Sequence, residues 1–338
     1  MPDKLHTVLL FALPASGKSE VRTYLASESF RARLVGHSPI GETLQLDDYP
    51  YVHVMHVIDE ELKARGRSRV FFRGPDRPFI DPYDAGTLVH LLNEDYDAVL
   101  AQREVHSEQA AQLLMGRLDR ARARVGLDEV LGELPYRLRC EIAAVLERTA
   151  RRMLGERNRQ CSQGLAGKTI FIEAARGGPN GAAMPLAPPH GYAYALAQLD
   201  ERILDNAVIL YVWVEPEQSR AKNVARGQPD AQGSILHHVV PLEVMIDGYG
   251  CDDMEHLLAS SGRPDCVRVD RRYVETGPDG QLVGSVRTWY LPTARFDNRQ
   301  DLTTFVHAKD GESWPEDAVE RIHTELFRTL EILRRGWG

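Results

Sequence analysis

Cysteine is scarce: four residues in 338, at Cys140, Cys161, Cys251 and Cys266, with no C-x-x-C pair and no zinc-site spacing. A disulfide-stapled scaffold is excluded, and reduced, mostly buried thiols are expected. Long apolar runs are missing too. No stretch approaches the ~20 residues of a membrane-spanning helix, so no membrane partner is expected. The N-terminal Met-Pro-Asp-Lys leads straight into an apolar segment and leaves no room for a signal peptide, so a cytoplasmic location is expected. Positive charge is in deficit, with 41 Lys and Arg against 49 Asp and Glu. That balance argues against non-specific nucleic-acid binding by the whole surface. What is present, 43% hydrophobic and 27% charged residues, is the composition of a globular chain able to hold one large or two moderate domains.

The most informative stretch is His6 to Leu25. A continuous apolar run, Val8 to Leu13, reads as a buried parallel strand. It enters Pro14-Ala15-Ser16-Gly17-Lys18-Ser19, after which Val21, Tyr24 and Leu25 share one helical face. A loop from a strand end into a helix N-terminus aims backbone N–H groups at one point, where phosphate binds. Lys18 adds a cation able to reach β- and γ-phosphates, and the Ser19 hydroxyl is placed to ligate Mg²⁺. Glu20 completes the segment assigned to nucleotide. In the pattern G-x-x-x-x-G-K-[ST] the first glycine is replaced by Ala12, a strand-end position that accepts a β-carbon if φ stays negative.

The rest of the chain alternates apolar strands and helices. Leu44 to Leu46 is a second strand, Tyr51 to Lys63 a helix, and Val70-Phe71-Phe72 a short strand. Residues 83–164 carry almost only helical pattern and read as an insertion of two to four helices, dividing a core at 1–82 and 165–338. Within it, eleven arginines face seven acids from Arg117 to Arg159. Pairing at i, i+4 on a solvated helix, as for Glu147 and Arg151, is preferred there over a phosphate grip. Lys168 to Glu173 and Ala207 to Val214 are buried strands, followed by helices to about Leu204 and over Pro216 to Arg226. Val267 to Val269 is a strand, Tyr273 to Tyr290 a hairpin turning at Gly277 to Gly280, and Pro315 opens a last helix. The predicted class is α/β, a three-layer sandwich on a mostly parallel sheet.

Ligands of such sheets bind beyond the strand C-termini, so the polar residues ending strands matter most. Asp47 ends the second strand, with Asp48 directly after it. Glu173 ends KTIFIE, where a carboxylate can hold the metal's water shell. Arg176 follows as a candidate for substrate phosphate, and Gly177 and Gly178 make its loop pliable. Arg220, Lys222 and Arg226 form a cationic cluster, Lys222 and Arg226 being four apart on one face. His237, beside His238, is a further substrate candidate. His53 and His56 lack the H-E-x-x-H pattern, which argues against zinc.

In its Leu-Pro-x-Ser-Gly-Lys-Ser form the loop resembles those of nucleoside-monophosphate-kinase-like and small-molecule kinases of the P-loop superfamily. Leu46-Asp47-Asp48-Tyr49 is similar to the Asp-x-Phe-Tyr segment of the uridine kinase, phosphoribulokinase and glycerate kinase group. The resemblance implies a P-loop NTPase fold and ATP with Mg²⁺. It implies Asp47 as the base taking the acceptor's proton, with Asp48 helping to hold Mg²⁺ or substrate, and Arg220 and Arg226 as phosphoryl clamps leading into a lid at about 227–250. The expected activity is a kinase for a small nucleoside- or sugar-like acceptor. The alternatives are a polynucleotide 5′-hydroxyl kinase gripping nucleic acid through the basic insertion, and a nucleotide-binding ATPase or switch.

Overall fold

The computed structural model describes residues 4–34, 38–226, 239–276, 281–307 and 314–337. Six strands form one sheet: β1 (Thr7–Phe11), β2 (Glu42–Asp47), β3 (Lys168–Ala174), β4 (Ala207–Trp213), β5 (Cys266–Thr276) and β6 (Leu282–Asp297). Their order is β2-β3-β1-β4-β6-β5. The first five in that order run parallel, and β5 pairs antiparallel with β6 at the edge. The hairpin is longer than its sequence pattern predicts, with Cys266 opposite Pro292 and Thr276 opposite Leu282. Its expected turn at 277–280 lies outside the described residues.

Strand β1 is buried at every position, which is why it reads as an unbroken apolar run. Val8 and Leu10 face helices α1 (Lys18–Ala26) and α12 (Glu316–Gly336), packing with Val21, Tyr24, Ile322 and Leu326. Leu9 and Phe11 point the other way, toward α4 (Asp84–Leu100) and α7 (Gly191–Gln198), where Val89, Leu92, Tyr96 and Tyr192 meet them. Period-two alternation on the strand thus feeds two apolar layers, the three-layer α/β arrangement expected from the pattern. Each fully buried Leu, Val, Ile or Phe contributes about 1.5–3 kcal/mol of transfer free energy to those layers.

The stretch 83–164 folds into three helices, α4, α5 (Ala110–Arg124) and α6 (Tyr136–Ser162). Helix α4 is apolar on two faces. Val89, Leu92 and Val99 lie on the sheet, while Leu88 and Leu91 join α3 (Tyr49–Ala64), α5 and α6 in a third cluster with Phe71 and Leu146. Val70 to Phe72 does not form the expected strand, making only an isolated bridge from Phe72 to Phe79. The reason is local. The N–H groups of Val70, Phe71 and Phe72 donate to the buried carboxylate of Asp59, at 2.7 to 3.2 Å, and so are not offered to a neighbouring strand. The helix expected to run to about Leu204 is broken: α7 stops at Gln198, and a short α8 (Glu201–Leu204) starts beyond an extended Leu199-Asp200. Among the described residues no helix is long and apolar enough to cross a membrane.

Candidate functional site

The C-terminal ends of β1, β2 and β3 converge, and each delivers a polar residue. The segment from Ala12 to Gly17 leaves β1 and enters α1, whose N-cap is Gly17 in the left-handed region at φ 99° and ψ 14°. No side chain caps that end. The Gly17 N-cap thus offers the first-turn N–H groups no side-chain acceptor of its own, and the chemistry of such a donor set fits phosphate. Ala15 also takes positive φ, at 57°, whereas Ala12 does not, so a β-carbon is accommodated at position 12.

Three contacts fix the loop from below. Ser16 Oγ donates to the Leu13 carbonyl at 2.7 Å, and Ser219 Oγ to the Pro14 carbonyl at 2.7 Å. Asn298 Nδ2 donates to the Ser16 carbonyl at 2.8 Å and to Thr303 Oγ1 at 2.9 Å. Ser219 and Asn298 are both buried, and neither is singled out by a motif. They lie 205 and 282 positions along the chain from the loop residues they bond, so only the fold shows that they support it. Gly17 is required twice over: at φ 99° a β-carbon is strained, and it would stand 2.5 Å from Thr303 Oγ1 and 2.6 Å from Asn298 Nδ2. Gly17→Ala is expected to cost about 2 kcal/mol or more in thermal unfolding and to weaken any phosphate ligand bound at the loop. A variant as stable as wild type would contradict this geometry.

Asp47 ends β2 in register with Glu173 on β3. Its Oδ1 accepts the N–H of Tyr49 at 2.9 Å, tying the carboxyl to the start of α3. Burial, then the carboxylates of Glu173 and Asp48, push Asp47 up to about 7, against the Tyr49 N–H and the Lys18 cation that pull it down. Lys18, Asp48 and Glu173 are therefore all near enough to act on the Asp47 carboxyl. Buried Glu173 is held by a residue that carries no motif, Arg22, whose Nε lies 2.6 Å from Oε1, and Gln45 Nε2 donates to the same oxygen at 2.9 Å. Asp48 Oδ2 lies 2.6 Å from Nη1 of Arg176, so this acid and base after adjacent strands form a buried pair. Nε and Nη2 of Arg176 are buried without a hydrogen-bond partner.

Helix α9 (Pro216–Arg226) begins beside the loop through Ser219. Arg220 pairs with Glu217 through Nη2, and its Nη1 is buried without a partner, whereas Lys222 Nζ is engaged by Asp301 at 3.0 Å. The side chain of Arg226, His237 and most of the segment expected as a lid, 227–250, lie outside the described residues; its last part, which is described, contains α10 (Leu242–Asp247). His56 stacks on Phe72 with ring centroids 3.7 Å apart. Among the described residues no group of three or more His, Cys, Asp or Glu is arranged to hold a metal ion by itself. A Mg²⁺ shared with substrate phosphates needs only one or two protein oxygens, which the Ser19 and Glu173 side chains can provide.

Of the basic stretch, Arg151 pairs with Glu147 at 2.7 Å, as the i, i+4 spacing predicts. Arg117 and Arg122 do not follow it. Both are buried, in ion pairs with Asp95 and Asp84 on α4 at 2.7 and 2.8 Å. Comparisons with protein-family models, with curated proteins and with solved structures gave no match.

Proposed function

We propose that this chain is a P-loop kinase, a phosphotransferase that uses ATP and Mg²⁺ to phosphorylate a hydroxyl or phosphate of a small nucleoside- or sugar-like acceptor. The observation that carries the proposal is the uncapped, glycine-opened N-terminus of α1 beside two register-paired carboxylates, Asp47 and Glu173. A phosphate cradle alone fits any nucleotide binder. A carboxylate with a raised proton affinity next to it is what a hydroxyl acceptor requires.

In this proposal the loop N–H groups and Lys18 hold the β- and γ-phosphates. Bound Mg²⁺ neutralises phosphate charge, and Ser19 and Glu173 would hold it, Arg22 and Gln45 keeping Glu173 in place. Asp48 acts through Arg176, orienting its two unpartnered nitrogens toward an anionic group. Asp47 takes the proton of the acceptor hydroxyl as that oxygen bonds to the γ-phosphorus and the bond to the bridging oxygen breaks, releasing ADP. Arg220 stabilises charge on the transferring group. The inward ion pairs of Arg117 and Arg122 favour the small acceptor over a polynucleotide, because they remove those cations from the surface.

Isothermal titration of ATP and GTP with Mg²⁺, on wild type and Lys18→Ala, tests the cradle. Micromolar binding in wild type, weakened at least about tenfold in the variant, is expected. ADP release stimulated by one acceptor class then separates a kinase from a nucleotide switch. Absence of nucleotide binding in wild type would remove the proposal.

A further inference from the structure

Between the end of β2 and helices α5 and α6 lies a cavity of about 280 Å³, with Asp47 on its wall. Leu113 and Leu114 of α5 and Met153 of α6 give it an apolar side, and Arg157 and Gln160 of α6 a polar one. Its size is at the low end for small-molecule sites.

The electrostatics of Arg157 distinguish this cavity from a packing defect. The Arg157 side chain is only 12% exposed, and its Nε lies 3.1 Å from Oδ1 of Asp95. That oxygen is already taken by Nη2 of Arg117 at 2.7 Å, and Oδ2 of Asp95 accepts the Tyr51 hydroxyl. Arg117 has a second carboxylate, Glu94, at 2.8 Å. Among the described residues Arg157 has no second ion-pair partner. Two guanidinium groups thus share Asp95, and Arg157 holds the longer contact. A largely covered cation that shares its counter-ion is costly, and an oxyanion entering the cavity relieves that cost through the guanidinium's planar donors.

We propose that the acceptor is itself an anion: a small molecule with an apolar body on Leu113, Leu114 and Met153 presents a carboxylate or phosphate to Arg157. The kinase reading enters only in assigning the acceptor's hydroxyl to Asp47. The anion site stands on the cavity and its charges.

The experiment measures binding of matched pairs to the full chain without nucleotide, by titration calorimetry: uridine against uridine 5′-monophosphate, glycerol against glycerate, and glycerol against glycerol 3-phosphate. At least one anion is expected to bind about tenfold tighter than its neutral partner and to lose that advantage in Arg157→Gln. Arg117 remains on Asp95 in that variant, so the fold keeps its neighbouring pair. As a second variant, Met153→Trp fills the apolar side and should abolish binding with Arg157 intact. The two anion types separate a carboxylate site from a phosphate site. No anion binding up to 10 mM, equal binding of neutral and anionic partners, or unchanged binding in Arg157→Gln or Met153→Trp overturns the proposal. Anion binding that depends on Arg157 in a protein that neither binds nor turns over ATP would retain the anion site and discard the kinase.

Discussion

In the proposed kinase reaction, replacing Asp47 with asparagine should lower acceptor phosphorylation by roughly 100- to 10,000-fold, the usual contribution of a positioned general base, while nucleotide affinity stays within about threefold. The base must be ionised to act. With its carboxyl held at about 7, the rate of wild type should rise with pH and level off above that value. The same substitution carries an opposite effect on stability. The folded carboxyl binds its proton more tightly than the unfolded one, which titrates at 3.8. Its contribution is therefore fully favourable below about pH 4 and is lost as pH rises through about 7. Asparagine keeps an oxygen for the Tyr49 N–H and has no proton to lose. Asp47→Asn should match wild type in thermal midpoint near pH 4 and exceed it at pH 8, by an amount on the order of 2 kcal/mol after allowance for partial exposure. Thermal melts at four pH values decide this, and a variant less stable than wild type at pH 8 would show that the Asp47 carboxylate is not strained by its neighbours. Gain of stability with loss of turnover is the signature of a functional carboxylate held against its own preference.

The parts of the site that were legible in the sequence are those whose signal is local. A strand, a loop with Gly17 and a helix follow one another within twenty residues, and the period of the apolar residues changes inside that window. Asp47 and Glu173 stood out because an acid closing an apolar strand has nowhere to go but the sheet's C-terminal edge. What stayed hidden depends on partners distant in the chain. Arg22 reads as an exposed helix cation until β3 brings Glu173 to it. Val70 to Phe72 has strand composition, yet Asp59 satisfies its N–H groups first. Asn298 supports Ser16 from beyond the last core strand, a contact that no local pattern marks. The basic character of α5 and α6 was equally ambiguous, since spacing alone does not tell a solvated arginine from one facing a buried acid on α4.

That last distinction has a large energetic consequence at Arg122. Asp84 is wholly buried at the start of α4, and Nη1 of Arg122 donates to both its oxygens, at 3.1 and 2.8 Å. Thr87 Oγ1 donates to the same carboxylate at 3.2 Å, and Arg122 lies over the Phe71 ring, 5.2 Å from its centroid. Arg122→Ala removes the counter-ion and leaves an uncompensated buried charge, a loss of roughly 3–5 kcal/mol. The penalty should depend on pH. Burial pushes the Asp84 carboxyl up to about 7 even while Arg122 pulls it down, so without that cation it rises further. At pH 5 the variant can keep Asp84 protonated, and the deficit shrinks; at pH 8 it must hold a proton against the solution or bury a bare charge. The double variant Asp84→Asn with Arg122→Met should recover most of the loss, because both charges leave together and the methionine keeps contact with Phe71. Urea midpoints of the two single variants and the double at pH 5 and pH 8 provide the test. A double variant no more stable than Arg122→Ala would mean that the cost lies in lost packing, not in the orphaned carboxylate. If the pair behaves as argued, α4 is locked to α5 by charge at its N-terminus, and α5, one wall of the cavity beside Asp47, is held in place by a contact outside the cavity's lining.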